Sequence, residues 1–131
     1  MPTYNLIALE KLINNGFKVT ILSYCFEKRE AQVMDAAKKL RCAHSLESIQ
    51  CCRMKTGVMG KTWLFKAYGI TACFDDNRHV CQEALAKGLD TYPIMVQSQE
   101  NHSWFRERRP YTTFASAVED FLHRKGLWSK A

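Results

Sequence analysis

The sequence predicts an α/β protein in three layers, with a small, mostly parallel sheet between helices. Short apolar segments rich in β-branched residues alternate along the chain with segments in which apolar residues recur at helical spacing. Glycines follow several of the helical segments and are suited to end them. Strands that alternate with helices need crossover connections, which favour parallel pairing and helices on both faces of the sheet.

The chain begins with a predicted helix and a predicted strand. Thr3 is a suitable N-cap for a helix over residues 4–14, and Asn15-Gly16 is suited to end it. Residues 17–22 are Phe-Lys-Val-Thr-Ile-Leu, and this apolar, β-branched composition predicts a strand that ends at Ser23.

The remaining segments continue the alternation. The predicted helices cover residues 27–40, 62–68 and 78–87, and a last helix begins at Thr112 or Thr113 and ends at Gly126. The predicted strands cover residues 49–54, 70–74 and 91–96, with a lysine-rich turn over 55–61 and a polar loop over 97–110.

Composition narrows the class of protein. The chain of 131 residues suits one domain, predicted over residues 1–131. No apolar run approaches the roughly 20 residues that span a bilayer, so no membrane partner is expected. No signal-peptide pattern is visible, and the six cysteines are expected as free thiols, which together predict a cytoplasmic location. The net charge of +6 favours attraction to phosphate groups.

Polar residues follow the predicted strands at one edge of the sheet. Ser23 ends the first strand, Asp75 and Asp76 follow the third, and Lys61, or alternatively Lys55, precedes a helix. Ligands of open α/β sheets bind beyond the carboxyl ends of the strands. A hydroxyl, an ammonium group and two carboxylates around one crevice suit a phosphate group with a divalent cation such as Mg²⁺.

A structural interpretation of the two aspartates stays open beside the functional one. Asp is a preferred N-cap residue, so one carboxylate would cap the following helix and the other would be solvated. Because adjacent carboxylates repel, the site interpretation instead requires compensation by Mg²⁺, a lysine or the backbone N–H groups of that helix.

These segments resemble three motifs of the haloacid dehalogenase (HAD) superfamily of phosphotransferases, over nearly the whole chain. Residues 12–23 are similar to its second motif, residues 55–61 to the region of its third, and residues 69–77 to its fourth. The resemblance implies a Rossmann-like domain without a large cap.

The resemblance also implies roles for single residues. It assigns phosphate binding to Ser23 and to Lys61, with Lys55 as the alternative, and Mg²⁺ binding to Asp75 and Asp76. The implied ligand is a phosphorylated small molecule.

The chain departs from the superfamily at the first motif. Members begin with a strand ending in Asp-x-Asp, which supplies the nucleophile and the general acid or base. Only Met1 and Pro2 precede the first predicted helix, and none of the five aspartates lies in an Asp-x-Asp pattern. We therefore expect an incomplete or nucleophile-less domain that binds phosphate or Mg²⁺ and is not an efficient hydrolase alone.

The absent strand has a structural consequence, because in the superfamily it lies centrally, between the strands that end at Ser23 and Asp75. Its loss leaves two unpaired strand edges, which are costly. Three solutions stay open: direct pairing of the flanking strands, a homodimer that adds or exchanges a segment, or a strand-donating partner. The last would give a Mg²⁺-dependent phosphatase of nucleotides or small phosphate esters.

Two further segments suggest other functions. The loop over residues 101–109 interleaves Trp104 and Phe105 with arginines, as in proteins that bind single-stranded nucleic acid. Alternatively, the loop is the surface through which a binding or scaffold protein engages a partner. We expect instead that both aromatics are buried and that nucleic acid is not a partner. Cys42-Ala43-His44 with Cys51-Cys52 offers four zinc ligands, but adjacent cysteines of a strand point to opposite faces, so zinc is not expected.

Overall fold

A computed structural model describes residues 3–25, 30–53, 64–95, 104–105, 108 and 110–127 of the chain. Two compact units are present, one formed by Glu10–Gly69 and the other by Met1–Leu9 together with Ile70–Ala131. Both contain helices and parallel strands, so the predicted α/β class is confirmed. The prediction of one domain stays a prediction.

The first helix, α1 (Thr3–Asn14), crosses the boundary between the units. Its end has the geometry expected from Asn15-Gly16, since Gly16 has a φ of 87° and its N–H donates to Ile13 at 3.0 Å. The N–H of Phe17 donates to Leu12 at 3.1 Å, which completes a Schellman motif. Local sequence therefore explains where this helix ends.

A two-stranded parallel sheet forms the centre of the unit Glu10–Gly69. It pairs β1 (Thr20–Cys25) with β2 (Ser48–Arg53), with Thr20 opposite Ser48. Helix α2 (Glu30–Lys38) packs on both strands, and a 3₁₀ helix (Ala43–Ser45) leads into β2. Residues 64–67 are helical, inside the helix predicted over 62–68.

The prediction that the first strand ends at Ser23 is wrong, because β1 continues to Cys25. Ser23 lies opposite Cys51, and Cys25 lies opposite Arg53. The parallel partner supplies hydrogen bonds beyond the apolar segment, so pairing with β2, rather than apolar composition, decides where β1 ends.

The second unit contains another two-stranded parallel sheet. It pairs β3 (Ala72–Asp75) with β4 (Asp90–Pro93), and the crossover helix α3 (Arg78–Ala86) packs on both strands. Beyond β4, Ile94 makes a parallel bridge to Tyr111. The N–H of Tyr111 donates to the carbonyl of Pro93 at 2.9 Å, so β4 has backbone partners on both sides.

Aromatic side chains join this sheet to the last helix, α4 (Phe114–Arg124). Phe74 and Tyr92 lie opposite each other in the strand register and stack with ring centroids 4.9 Å apart. Phe121 contacts both rings edge to face, with centroid distances of 5.6 Å, and Phe114 contacts Phe74 in the same way. Such pairs stabilise a fold beyond the apolar area that they bury, so this cluster helps to hold α4 against the sheet.

The start of α4 is set by local hydrogen bonds. Thr113, one of the two residues predicted to open the helix, is the N-cap, and its Oγ1 accepts from the N–H of Ser116 at 3.0 Å. The side chain of Ser116 in turn accepts from the N–H of Thr113, as in a capping box.

Within the ranges that the structure describes, no helix is long and apolar enough to cross a membrane.

Candidate functional site

Asp75 is the last residue of β3, and the residue is buried, with a relative exposure of 8%. One carboxylate oxygen, Oδ1, accepts a hydrogen bond from the N–H of Asn77 at 2.8 Å. Its carbonyl accepts from the N–H of Ile94 at 2.9 Å and from Sγ of Cys81 at 3.3 Å. The carboxylate is therefore held in place at the carboxyl end of a parallel strand.

Asp76 differs from its neighbour, because its side chain is exposed to solvent. The chain bends here between the end of β3 and the start of α3. One carboxylate of the pair is thus buried and fixed, while the other is accessible to a ligand from solution.

Asn77, and not an aspartate, caps the helix that follows. Its Oδ1 accepts from the N–H groups of His79 at 2.9 Å and Val80 at 3.2 Å. Asn is as good an N-cap as Asp, so the cap does not require either carboxylate. The prediction that an aspartate caps this helix is therefore wrong. The exposure of Asp76 agrees with the other part of that interpretation, in which one of the two carboxylates is solvated.

The two aspartates supply the type of ligand that Mg²⁺ uses in sites where it keeps much of its water. In the described part of the chain, no group of three or more His, Cys, Asp or Glu residues is placed to hold a metal ion. Protein sites for Mg²⁺ commonly use one or two carboxylates, with waters and substrate phosphate oxygens completing the octahedron. The donor set of Asp75 and Asp76 is compatible with such a site and not with a cage made only of protein ligands.

The predicted phosphate ligands belong to the other unit or lie outside the described residues. Ser23 lies within β1, in the unit Glu10–Gly69, where only its backbone position is described. Lys55 and Lys61 lie outside the described residues. Their assignment to a phosphate group stays a prediction.

The aromatic residues of the basic loop are buried, as predicted. Trp104 has a relative exposure of 8% and Phe105 of 0%, and both pack with Cys81. The guanidinium carbon of Arg108 lies 4.2 Å from the centroid of the Trp104 ring, and its Nη1 donates to the carbonyl of Trp104 at 3.0 Å. Because these rings pack inside the protein, they offer no open stacking platform for bases.

Sequence reasoning did not single out a set of polar contacts made by two tyrosines, Tyr92 within β4 and Tyr111 beside α4. The hydroxyl of Tyr92 donates to Asp90 at 2.8 Å, and the hydroxyl of Tyr111 donates to Asp120. Arg124 pairs with Asp120 at 3.0 Å and lies 3.5 Å from the hydroxyl of Tyr111. The only signal of it in the sequence is the spacing of Asp120 and Arg124, four residues apart on one helix.

Burial changes the acidity of the two phenols. Burial, followed by the hydrogen bond to Asp90, raises the pKa of Tyr92 above its ordinary value. Burial and the hydrogen bond to Asp120 raise the pKa of Tyr111 to about 12. Both hydroxyls therefore remain protonated donors at physiological pH, which suits a structural network better than acid–base chemistry.

The four residues of the alternative zinc site belong to the unit Glu10–Gly69. Cys42 is buried, and burial raises the pKa of its thiol, which disfavours the thiolate that zinc binds. His44 is exposed on the 3₁₀ helix. The side chains of Cys51 and Cys52 lie outside what the structure describes.

No protein-family model, no curated protein and no solved structure matches this chain. The likeness to the HAD superfamily therefore rests on the motifs in the sequence alone.

Proposed function

We propose that this chain is an incomplete HAD-like domain that binds Mg²⁺ and a phosphorylated small molecule and is not an efficient hydrolase alone. The observation that carries the proposal is the pair formed by Asp75 and Asp76. A buried, hydrogen-bonded carboxylate and an exposed carboxylate adjoin at the carboxyl end of a parallel strand. This is the position where α/β proteins bind their ligands.

The surroundings of β3 support the finer fold assignment, a three-layer Rossmann-like domain. Helix α3 packs on β3 and β4, while Phe74 contacts Phe114 and Phe121 of α4. Successive strand residues point to opposite faces of a sheet, so Cys73 and Asp75 point away from the side on which Phe74 meets α4.

The roles in the proposed site follow from charge. Asp76 would bind the cation from the solvent side, while Asp75 would supply a carboxylate at the end of β3. A bound Mg²⁺ would neutralise negative charge on a phosphate group. The phosphate-binding role of Ser23 and of Lys61, or Lys55, rests on the sequence resemblance alone.

Weak hydrolysis is proposed because no other aspartate stands where a nucleophile is needed. Asp35 lies on the exposed surface of α2, with its carboxylate 3.7 Å from Lys39. Asp90 begins β4, at the amino end of the strand, and accepts the Tyr92 hydroxyl. Asp120 lies in α4 and is paired with Arg124. A covalent aspartyl-phosphate would thus need a carboxylate from elsewhere.

A metal-binding experiment tests the proposal directly. Titration with Mn²⁺, followed by its paramagnetic signal, and competition with Mg²⁺ should reveal a site that Asp76→Asn weakens at least tenfold. Asp35→Asn is the matched control, since it removes an exposed carboxylate, 71% accessible, from a helix surface. Equal weakening by the two variants would mean non-specific binding of cations and would refute the site.

A second candidate function is a phosphatase completed by another strand. Among the described strands, β3 pairs only with β4, and β1 pairs only with β2. In a parallel strand, alternate residues direct their backbone groups to opposite sides, and the N–H of Ile94 reaches the carbonyl of Asp75. Ala72 and Phe74 therefore direct theirs to the other edge of β3, where a homodimer partner or a donated strand would bind.

Turnover of p-nitrophenyl phosphate with and without Mg²⁺, on protein whose mass is measured by light scattering in the same sample, separates the candidates. We expect the metal site without significant turnover. Mg²⁺-dependent turnover that Asp75→Asn abolishes would favour the completed phosphatase. A stable dimer without a metal site would favour a binding or scaffold protein that acts through its strand edges.

A further inference from the structure

We draw no further inference here: the strongest candidate, the buried cluster of Trp104, Phe105, Cys81 and Met95, leaves the indole N–H of Trp104 without a hydrogen-bond partner among the described residues, but it carries no proposal because nothing in the structure shows which group that N–H faces.

Discussion

At the scale of single residues, Asp75 and Asp76 are adjacent but have different environments. Asp75 is buried at the end of β3 and accepts a backbone hydrogen bond, whereas Asp76 is exposed beside the start of α3. Desolvating an ionised carboxylate is costly unless it is hydrogen-bonded or paired. We therefore expect that removal of the Asp75 carboxylate mainly lowers stability, whereas removal of the Asp76 carboxylate mainly weakens cation binding.

The exposed aspartate should be dispensable for folding. Asp76→Asn should change the free energy of unfolding by no more than about 0.5 kcal/mol, as is usual for surface positions, while weakening Mg²⁺ binding. Urea unfolding followed by circular dichroism, compared with Asp35→Asn, measures this change. A loss of more than about 2 kcal/mol would show that Asp76 has a structural role and would oppose the proposed site.

The buried aspartate should behave differently. Asp75→Ala removes the acceptor of the Asn77 N–H, so it should destabilise the protein by about 1–3 kcal/mol. Asp75→Asn keeps an oxygen acceptor of the same shape and should lose less stability. The same urea experiment measures both variants, and equal losses would mean that the negative charge matters more than this hydrogen bond.

At the scale of whole elements, α3 has a capping motif at each of its two ends. Asn77 caps the start, and Gly88, with a φ of 75°, follows the C-cap. There the N–H of Leu89 donates to Ala84 at 2.9 Å, and that of Gly88 donates to Leu85 at 3.0 Å, as in a Schellman motif. Because the cap residue Asn77 directly follows the two aspartates, α3 begins beside them.

Removing the N-cap should lower stability through the helix alone. Asn77→Ala leaves the N–H groups of His79 and Val80 without their acceptor and should cost about 1 kcal/mol. Asn77→Ser is the control, because serine is an equally preferred cap and should retain most of the stability. Thermal unfolding of both variants checks the expectation, which fails if serine is as destabilising as alanine.

The hydrogen-bonded hydroxyls of Tyr92 and Tyr111 should make stability depend on pH in alkaline solution. The pKa of Tyr111 is raised to about 12, and that of Tyr92 is also raised, relative to an unfolded value of about 10. The unfolded chain therefore loses these protons first as the pH rises. The stabilisation is fully present below about pH 10 and is lost as the pH rises through the folded values.

Tyr111→Phe tests the sign of this dependence. It should cost about 1 kcal/mol at neutral pH, because the hydrogen bond to Asp120 is lost. Its deficit relative to the unmodified protein should shrink between about pH 10 and pH 12. Urea midpoints measured across that range give the result. Tyr4→Phe, which removes an exposed phenol from α1, should leave the alkaline loss of stability in place. A deficit that does not change with pH would contradict the expectation.

At the scale of the whole molecule, buried thiols report how the two units unfold. Cys42 lies in the unit Glu10–Gly69, and Cys73 and Cys81 lie in the other; all three are buried thiols. Alkylation mapped by mass spectrometry should be slow at each in the native protein and accelerate with urea, since local or global opening must precede reaction. Rapid native labelling would contradict the burial. Different urea dependences for Cys42 and Cys81 would show that the units unfold separately, against the predicted single domain.

Much of the fold could be predicted because it depends on local patterns. Helix α3 was predicted over 78–87 and covers Arg78–Ala86, and β2 was predicted over 49–54 and covers Ser48–Arg53. Thr113 was one of two predicted caps of α4. Periodicity, capping residues and glycines act within a few residues of their own position, so the sequence displays them directly.

The candidate site was only partly predictable. The motif of Asp75 and Asp76 and its place at a strand end came from the sequence, but their unequal burial did not, since it depends on how α3 and Ile94 pack against the end of β3. The roles of Ser23, Lys55 and Lys61 stay predictions, because a site shared by distant segments cannot be derived from local pattern.

The sequence by itself therefore determined the class of the protein, the order of its elements and the carboxylate pair that suggests a cation site. Only the tertiary structure decided that β1 extends to Cys25 and that Asp75 is buried while Asp76 is exposed. The physical reason is distance along the chain: patterns of apolar and capping residues act within a few residues, whereas strand length and burial depend on partners that are far apart in the sequence.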